Sequence, residues 1–94
     1  MYKLITTTRY KHSYKRLKRS GRLKDLWELD KVLEILESGE ELPSGYFDHQ
    51  LTGNLQHLRE CHVRGNLLLT YQKINNLLII SLANIGTHHE LFGN

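Results

Sequence analysis

The sequence is sparing with the residues that staple or punctuate a small fold: one cysteine, one proline, one methionine and one tryptophan in 94 residues. A lone Cys61 excludes an intramolecular disulfide framework. No Cys-x-x-Cys and no His-Glu-x-x-His spacing occurs, so the recurrent zinc patterns are missing and neither a metal nor a cofactor is expected. There is no glycine-rich loop followed by Lys-Ser or Lys-Thr, which excludes the common nucleotide-binding reading. The longest apolar runs, residues 67–69 and 77–80, are strand-sized, against the roughly 18 to 20 residues needed to cross a bilayer. Met1-Tyr2-Lys3-Leu4-Ile5-Thr6 has no charged start, apolar middle or small-residue cleavage site, so a cytoplasmic protein with no membrane partner is expected. The length suits one compact domain over residues 1–94 with a single core.

Acidic residues are missing from the first 24 positions. That stretch holds nine Lys or Arg, a charge of +9, while residues 25–94 hold four basic and ten acidic residues, a charge of −6, giving the net +3. Such segregation suggests a polyanionic partner, although a basic helix can equally be a solvated face.

Thr and Ile in residues 1–7 suggest a short strand, with Thr8 as the N-cap of a following helix. Tyr10, Tyr14 and Leu17 recur at helical spacing and predict a helix over 9–19 that ends at Ser20-Gly21. A second helix is predicted from Leu26, Leu29, Val32, Leu33 and Leu36, with Trp27 adding bulk and Gly39 as the stop. Residues 40–54, with Pro43, Gly45 and Gly53, form an ordered loop. Strands are predicted over 55–63, 67–73 and 77–84, joined by hairpin turns at Gly65-Asn66 and Asn75-Asn76. The expected fold is therefore α+β: an N-terminal strand, a two-helix hairpin and a three-stranded antiparallel meander whose apolar face the helices cover.

Six histidines are present, and His49, His62, His88 and His89 lie in strands or loops that could gather them. Histidine titrates near neutrality and can act as general acid or base, each role worth typically ~10^2 to 10^4 in rate. Strand alternation puts Leu58, Glu60 and His62 on one face and Arg59, Cys61 and Val63 on the other. A carboxylate beside a histidine can orient it and tune its proton exchange, so Glu60 is expected to act on His62, although such a pair can also be structural. Cys61, among apolar strand neighbours, reads as a small buried hydrophobe and not as a nucleophile.

Four segments together resemble a known family: Tyr46-Phe47-Asp48-His49-Gln50-Leu51-Thr52-Gly53, Arg59-Glu60-Cys61-His62-Val63, Leu69-Thr70-Tyr71, and Gly86-Thr87-His88-His89-Glu90-Leu91-Phe92-Gly93. In order and spacing they are similar to the YafQ-like branch of the RelE/ParE superfamily of type II toxin-antitoxin toxins. The resemblance covers nearly the whole chain and implies the RelE-like fold. It also implies an endoribonuclease, or mRNA interferase, that cuts messenger RNA in the ribosomal A site and so inhibits translation. The reaction would use the ribose 2'-hydroxyl as nucleophile, without metal. A cognate antitoxin would hold the toxin inactive, with DNA reached only through the toxin-antitoxin complex.

By position the resemblance implies His88 as general acid, His62 or His49 as base and phosphate ligand, and Phe92 as a group that stacks on an unpaired base. Phe92 could instead plug the end of the sheet. The chain departs from the family pattern where an Asp followed by a Trp is replaced by Asn66 and Leu67. An amide hydrogen-bonds but does not accept a proton at neutral pH, so any catalytic role of that carboxylate would move, for example to Glu60. The sheet arginines and lysines of RelE itself are also missing, which leaves phosphate neutralisation to histidinium, to Arg59 or Arg64, or to ribosomal groups. Lys11, Lys15, Arg16, Lys18, Arg19, Arg22 and Lys24 would then dock on ribosomal RNA. Two other readings fit the same residues: a basic RNA- or ribosome-binding module without catalysis, and an interaction protein whose histidines sense pH or bind metal weakly.

Overall fold

The computed structural model describes residues 1–93. The chain runs through strand β1 (Lys3–Thr6), helices α1 (Thr8–Arg19) and α2 (Leu23–Ser38), strands β2 (His49–Gln50), β3 (Arg59–Arg64), β4 (Leu67–Ile74) and β5 (Ile79–Gly86), and a short helix α3 (His88–Phe92). The strands form one sheet in the order β1-β5-β4-β3-β2. The predicted α+β architecture is therefore present: β3, β4 and β5 are the antiparallel meander, and β1 returns to pair in parallel with β5.

Helix α1 begins one residue earlier than its pattern suggests. Thr7, not Thr8, is the N-cap, and its hydroxyl accepts from the Tyr10 amide at 3.1 Å while donating to the β5 carbonyls of Leu82 and Ala83. One side chain thus caps the helix and ties it to the sheet. Helix α2 stops at Gly39, whose φ of 87° is open to glycine and strained for most side chains. The Tyr2 ring lies 3.5 Å from where a Cβ would stand there.

The core joins Tyr10 and Leu17 of α1 and Leu29, Val32 and Leu36 of α2 to Cys61, Val63, Leu69, Tyr71, Ile80, Leu82 and Ile85 of the sheet. Trp27 is exposed, with the Lys31 ammonium 5.1 Å above its ring, while Leu26 and Leu29 of the same turn pack toward the sheet. Two irregularities also escape the apolar pattern. Residues 53–55 form a 3-10 turn and not the start of β3, and the second hairpin carries a 3-10 turn at Asn75–Leu77 that delays β5 to Ile79. Among the described residues no helix is long and apolar enough to cross a membrane.

Leu29 is fully buried between α2 and the sheet. Leu29→Ala is expected to lower unfolding free energy by about 2–5 kcal/mol, read as a lower urea midpoint at an unchanged slope. A loss under 1 kcal/mol would contradict this core assignment.

Candidate active site

Cys61 and Val63 point into the core, so alternation turns Glu60 and His62 to the opposite face of β3. Strand β2 was not predicted; residues 40–54 read as loop. It is two residues long, and pairing sets His49 opposite Glu60. As a result Glu60 contacts His49 rather than His62, with Oε1 3.4 Å from Nε2. The His49 ring is also fixed from its other side, with Nδ1 2.7 Å from the Phe47 carbonyl oxygen. A carbonyl only accepts, so Nδ1 is the donor to Phe47 and Nε2 is the nitrogen that faces Glu60. The His62 ring centroid is 6.4 Å from that of His49 and 5.5 Å from that of Phe47. Glu60 is only 6% exposed, and its Oε2 is buried without a hydrogen-bond partner among the described residues.

The loop is held by a network that sequence spacing does not disclose. Asp48 accepts from the Arg59 guanidinium at 3.0 and 3.2 Å and from the Tyr71 hydroxyl at 2.6 Å. Burial and the Asp48 carboxylate both push the Tyr71 hydroxyl far above its ordinary range, so it remains a donor. Arg59 is thus committed to Asp48, and Arg64 to Asp25 at 3.0 Å. Both guanidiniums that the sequence offered as alternatives for phosphate neutralisation are paired with carboxylates of the fold. A polar cavity of about 640 Å³ opens beside this network, between the end of α2 and the sheet.

The register carries the site across the sheet. His62 pairs with Leu68, and Leu68 with Gly86. Two strand spacings put the Gly86 backbone roughly 10 Å from that of His62. Helix α3 follows at once, with His88 exposed and its ring 4.9 Å from that of Phe92, which is half-buried. This helix was missed because five residues are too few to show a helical period. Its signal was present as Thr87 followed three residues later by Glu90, a capping box. The Glu90 amide donates to the Thr87 hydroxyl, and the Thr87 amide to Glu90 Oε1 at 2.7 Å. A Cβ on Gly86 would stand 2.8 Å from Glu90 Oε1, so a side chain there would require the capping carboxylate to shift. Arg16 reaches Glu90 Oε2 at 3.6 Å and joins α1 to α3.

Asn66 does not join the histidines. It lies in the β3–β4 turn and lines a depression with Arg22, Lys24 and Arg64 beside the α1–α2 turn. The neighbouring Leu67 is a core residue. Lys11, Lys15, Arg16, Lys18, Arg19, Arg22 and Lys24 are all exposed, as a basic surface requires. Burial pushes the Cys61 thiol up to about 12, so it stays protonated and unreactive.

Against this geometry the comparisons with known proteins are decisive. A family model described as the bacterial toxin of the type II toxin-antitoxin system, YafQ, matches residues 2–93. The chain belongs to the YafQ family. A YafQ toxin of Haemophilus influenzae is 46% identical over 33 residues, a stretch covering 35% of this chain and 32% of that relative. The chain thus matches about a third of that curated relative's length. A metal-bound toxin from Helicobacter pylori is 36% identical with a TM-score of 0.87, covering 98% of this chain and 100% of the other. The YafQ of an E. coli DinJ-YafQ toxin-antitoxin complex is 25% identical with a TM-score of 0.85, covering 98% of each chain. In this YafQ-family toxin, among the described residues, no three His, Cys, Asp or Glu side chains cluster as a metal-binding group. The donor set therefore does not fit a ready-made metal centre.

The backbone cap at Thr87 holds the Glu90 carboxyl below its ordinary 4.5, with Arg16 assisting. A lowered folded value means that the stabilisation is present above the unfolded value and is lost as pH falls through the folded one. Glu90→Gln should therefore be less stable than wild type at pH 6, and the difference should shrink in thermal unfolding as pH falls below the ordinary 4.5. A constant difference down to pH 3 would refute the assignment.

Proposed function

We propose that this toxin is an endoribonuclease that cuts messenger RNA on the ribosome and thereby blocks translation. The observation that carries the reading is the pairing of two histidine-aromatic units at one end of the sheet: His62 with Phe47, and His88 with Phe92. Metal-free RNA cleavage needs a base, an acid and local positive charge, and neutral-range imidazoles supply all three.

In the proposed reaction His62 takes the proton of the ribose 2'-hydroxyl as that oxygen attacks the adjacent phosphorus. A 2',3'-cyclic phosphate forms, the bond from phosphorus to the 5'-oxygen breaks, and His88 donates a proton to that oxygen. His49 is held through both ring nitrogens, by the Phe47 carbonyl and by Glu60. This suits it to electrostatic stabilisation of the phosphate rather than to proton shuttling. Glu60 orients His49, which revises its expected action on His62. Phe92 stacks on an unpaired base. Asn66, facing the α1–α2 turn, takes no part in proton transfer.

The exposed lysines and arginines of residues 11–24 provide the ribosomal RNA contact, which is independent of sequence and weakened by salt. An acidic cognate antitoxin is the second partner, by analogy with the DinJ-YafQ complex. A segment of it laid over the toxin would compete for the same basic surface. We assign the protein to the cytoplasm on the same grounds, since its substrate is translated there.

Mapping messenger RNA ends by primer extension in a cell-free translation reaction tests the chemistry. Wild type is expected to cut within codons only when ribosomes are present. His62→Ala and His88→Ala should each lower the rate by about 10^2 to 10^4. Full activity in both variants would sink the mechanism, and an absence of cuts by wild type would favour a binding module without catalysis.

Lys15, Lys18 and Arg19 test docking without disturbing the Arg16–Glu90 contact. Replacing all three by Ala should weaken ribosome binding and flatten its dependence on salt by roughly three phosphate contacts' worth. An unchanged affinity across a salt series would remove this surface from the docking site.

A further inference from the structure

We propose that Phe47 is a second base-stacking residue, gripping the nucleotide that carries the attacking 2'-hydroxyl while Phe92 grips the one on the leaving 5'-oxygen side. The inference rests on the ribonuclease reading above and adds the substrate geometry of that site.

Phe47 is a large apolar side chain left 64% exposed. Its backbone is left-handed, with φ 51° and ψ 41°, a conformation that glycine or asparagine accepts and that a bulky residue rarely adopts. Strain of this kind persists only where the surroundings over-determine it, and it concentrates at functional sites. Three contacts fix it here. The Phe47 amide donates to the Ser44 carbonyl at 3.1 Å, its own carbonyl is engaged by His49 Nδ1, and the next residue, Asp48, is locked to Arg59 and Tyr71. The ring is therefore held outward. Its ring stands edge-on to that of His62, at 5.5 Å and an interplanar angle of 62°.

The arrangement repeats at α3, where the Phe92 ring lies 4.9 Å from that of His88 at 52°. Each histidine assigned to proton transfer thus has one aromatic ring beside it. The two nucleotides flanking a scissile phosphate each present an unpaired base, and a base stacks on an aromatic face whatever its identity. Phe47, beside the proposed base His62, matches the 2'-hydroxyl side. Phe92, beside the proposed acid His88, matches the 5'-oxygen side. A protein partner could also use an exposed phenylalanine, but it would have no need of a histidine at each ring.

The test is single-turnover and steady-state cleavage on ribosomes programmed with a defined messenger RNA. Phe47→Leu is expected to raise KM about tenfold, within the range of one lost base-aromatic stack, with kcat within about twofold. Phe47→Trp should restore KM. Removing the base itself, with an abasic residue on the 2'-hydroxyl side, should make wild type and Phe47→Leu equivalent, whereas an abasic residue on the 5'-oxygen side should leave their difference intact. Phe47→Gly, which fits the left-handed backbone, should unfold no earlier than wild type yet show the raised KM, separating stacking from folding. Unchanged KM in Phe47→Leu beside an active wild type overturns this inference and leaves the ribonuclease reading standing. A fall in kcat alone would assign Phe47 to positioning His49 and also overturns it, as does intact cleavage with lost antitoxin inhibition. An inactive wild type overturns both readings.

Discussion

Most of the site depends on one carboxylate. Asp48 takes three short hydrogen bonds from Arg59 and Tyr71, and so fastens an otherwise irregular loop to two adjacent strands. A partly buried aspartate and arginine are each costly alone, and removing one partner strands the other. The pair is therefore weak evidence for net stability and strong evidence for specificity of position. Its consequence lies in its neighbours: Phe47 and His49 stand on either side of Asp48 and have little freedom once it is fixed. The same contact holds the Arg59 guanidinium further above its ordinary range, so its charge is permanent and already spent within the fold.

The second constraint is the transverse row of the sheet. Antiparallel pairing fixes His62, Leu68 and Gly86 side by side, and a slip of one residue would send His62 into the core and Cys61 out of it. The buried, nonpolar environment of Cys61 and Val63 thus guards the placement of the polar site on the other face. Helix α3 is then aimed by its own cap, with Gly86 leaving room for Glu90 and Arg16 drawing the cap toward α1. A proposed acid and a proposed base so sit on different elements, one placed by strand register and the other by the capping box of α3. This is the condition for acid-base catalysis by positioned groups.

What was legible in the sequence were the features with a period or a punctuation mark. Leu29, Val32 and Leu36 announced α2, Gly39 its end, and Gly65-Asn66 the first hairpin turn, because burial of a helix stripe or a strand face leaves a repeating trace. Features made by single long-range contacts left none. The pairing of β2 with β3 involves only two residues of β2, and it redirected Glu60 from His62 to His49. The commitment of Arg59 and Arg64 to Asp48 and Asp25 spans separations of 11 and 39 residues and cannot be read from composition. Trp27 adds bulk to the helix pattern, yet it is exposed, because bulk alone does not say which side of α2 meets the sheet. The histidines were found because residue chemistry, unlike contact geometry, is written in the sequence.

Asn66, at a position where the resemblance implies a carboxylate, bears on how the proposed reaction is balanced. An amide at that turn cannot hold a negative charge, and it faces the α1–α2 turn, where Arg22, Lys24 and Arg64 also lie. The site nevertheless has a carboxylate on the histidine-bearing face of the sheet, Glu60, buried one strand away from solvent with one oxygen near His49 and the other without a partner among the described residues. Leaving a buried carboxylate oxygen unpaired costs free energy, and a purely structural position would be better served by an apolar side chain. What Glu60 secures there is the orientation of His49, whose ring is held at both nitrogens. In the proposed reaction Glu60 orients His49 through Nε2, while His62 is left to exchange protons.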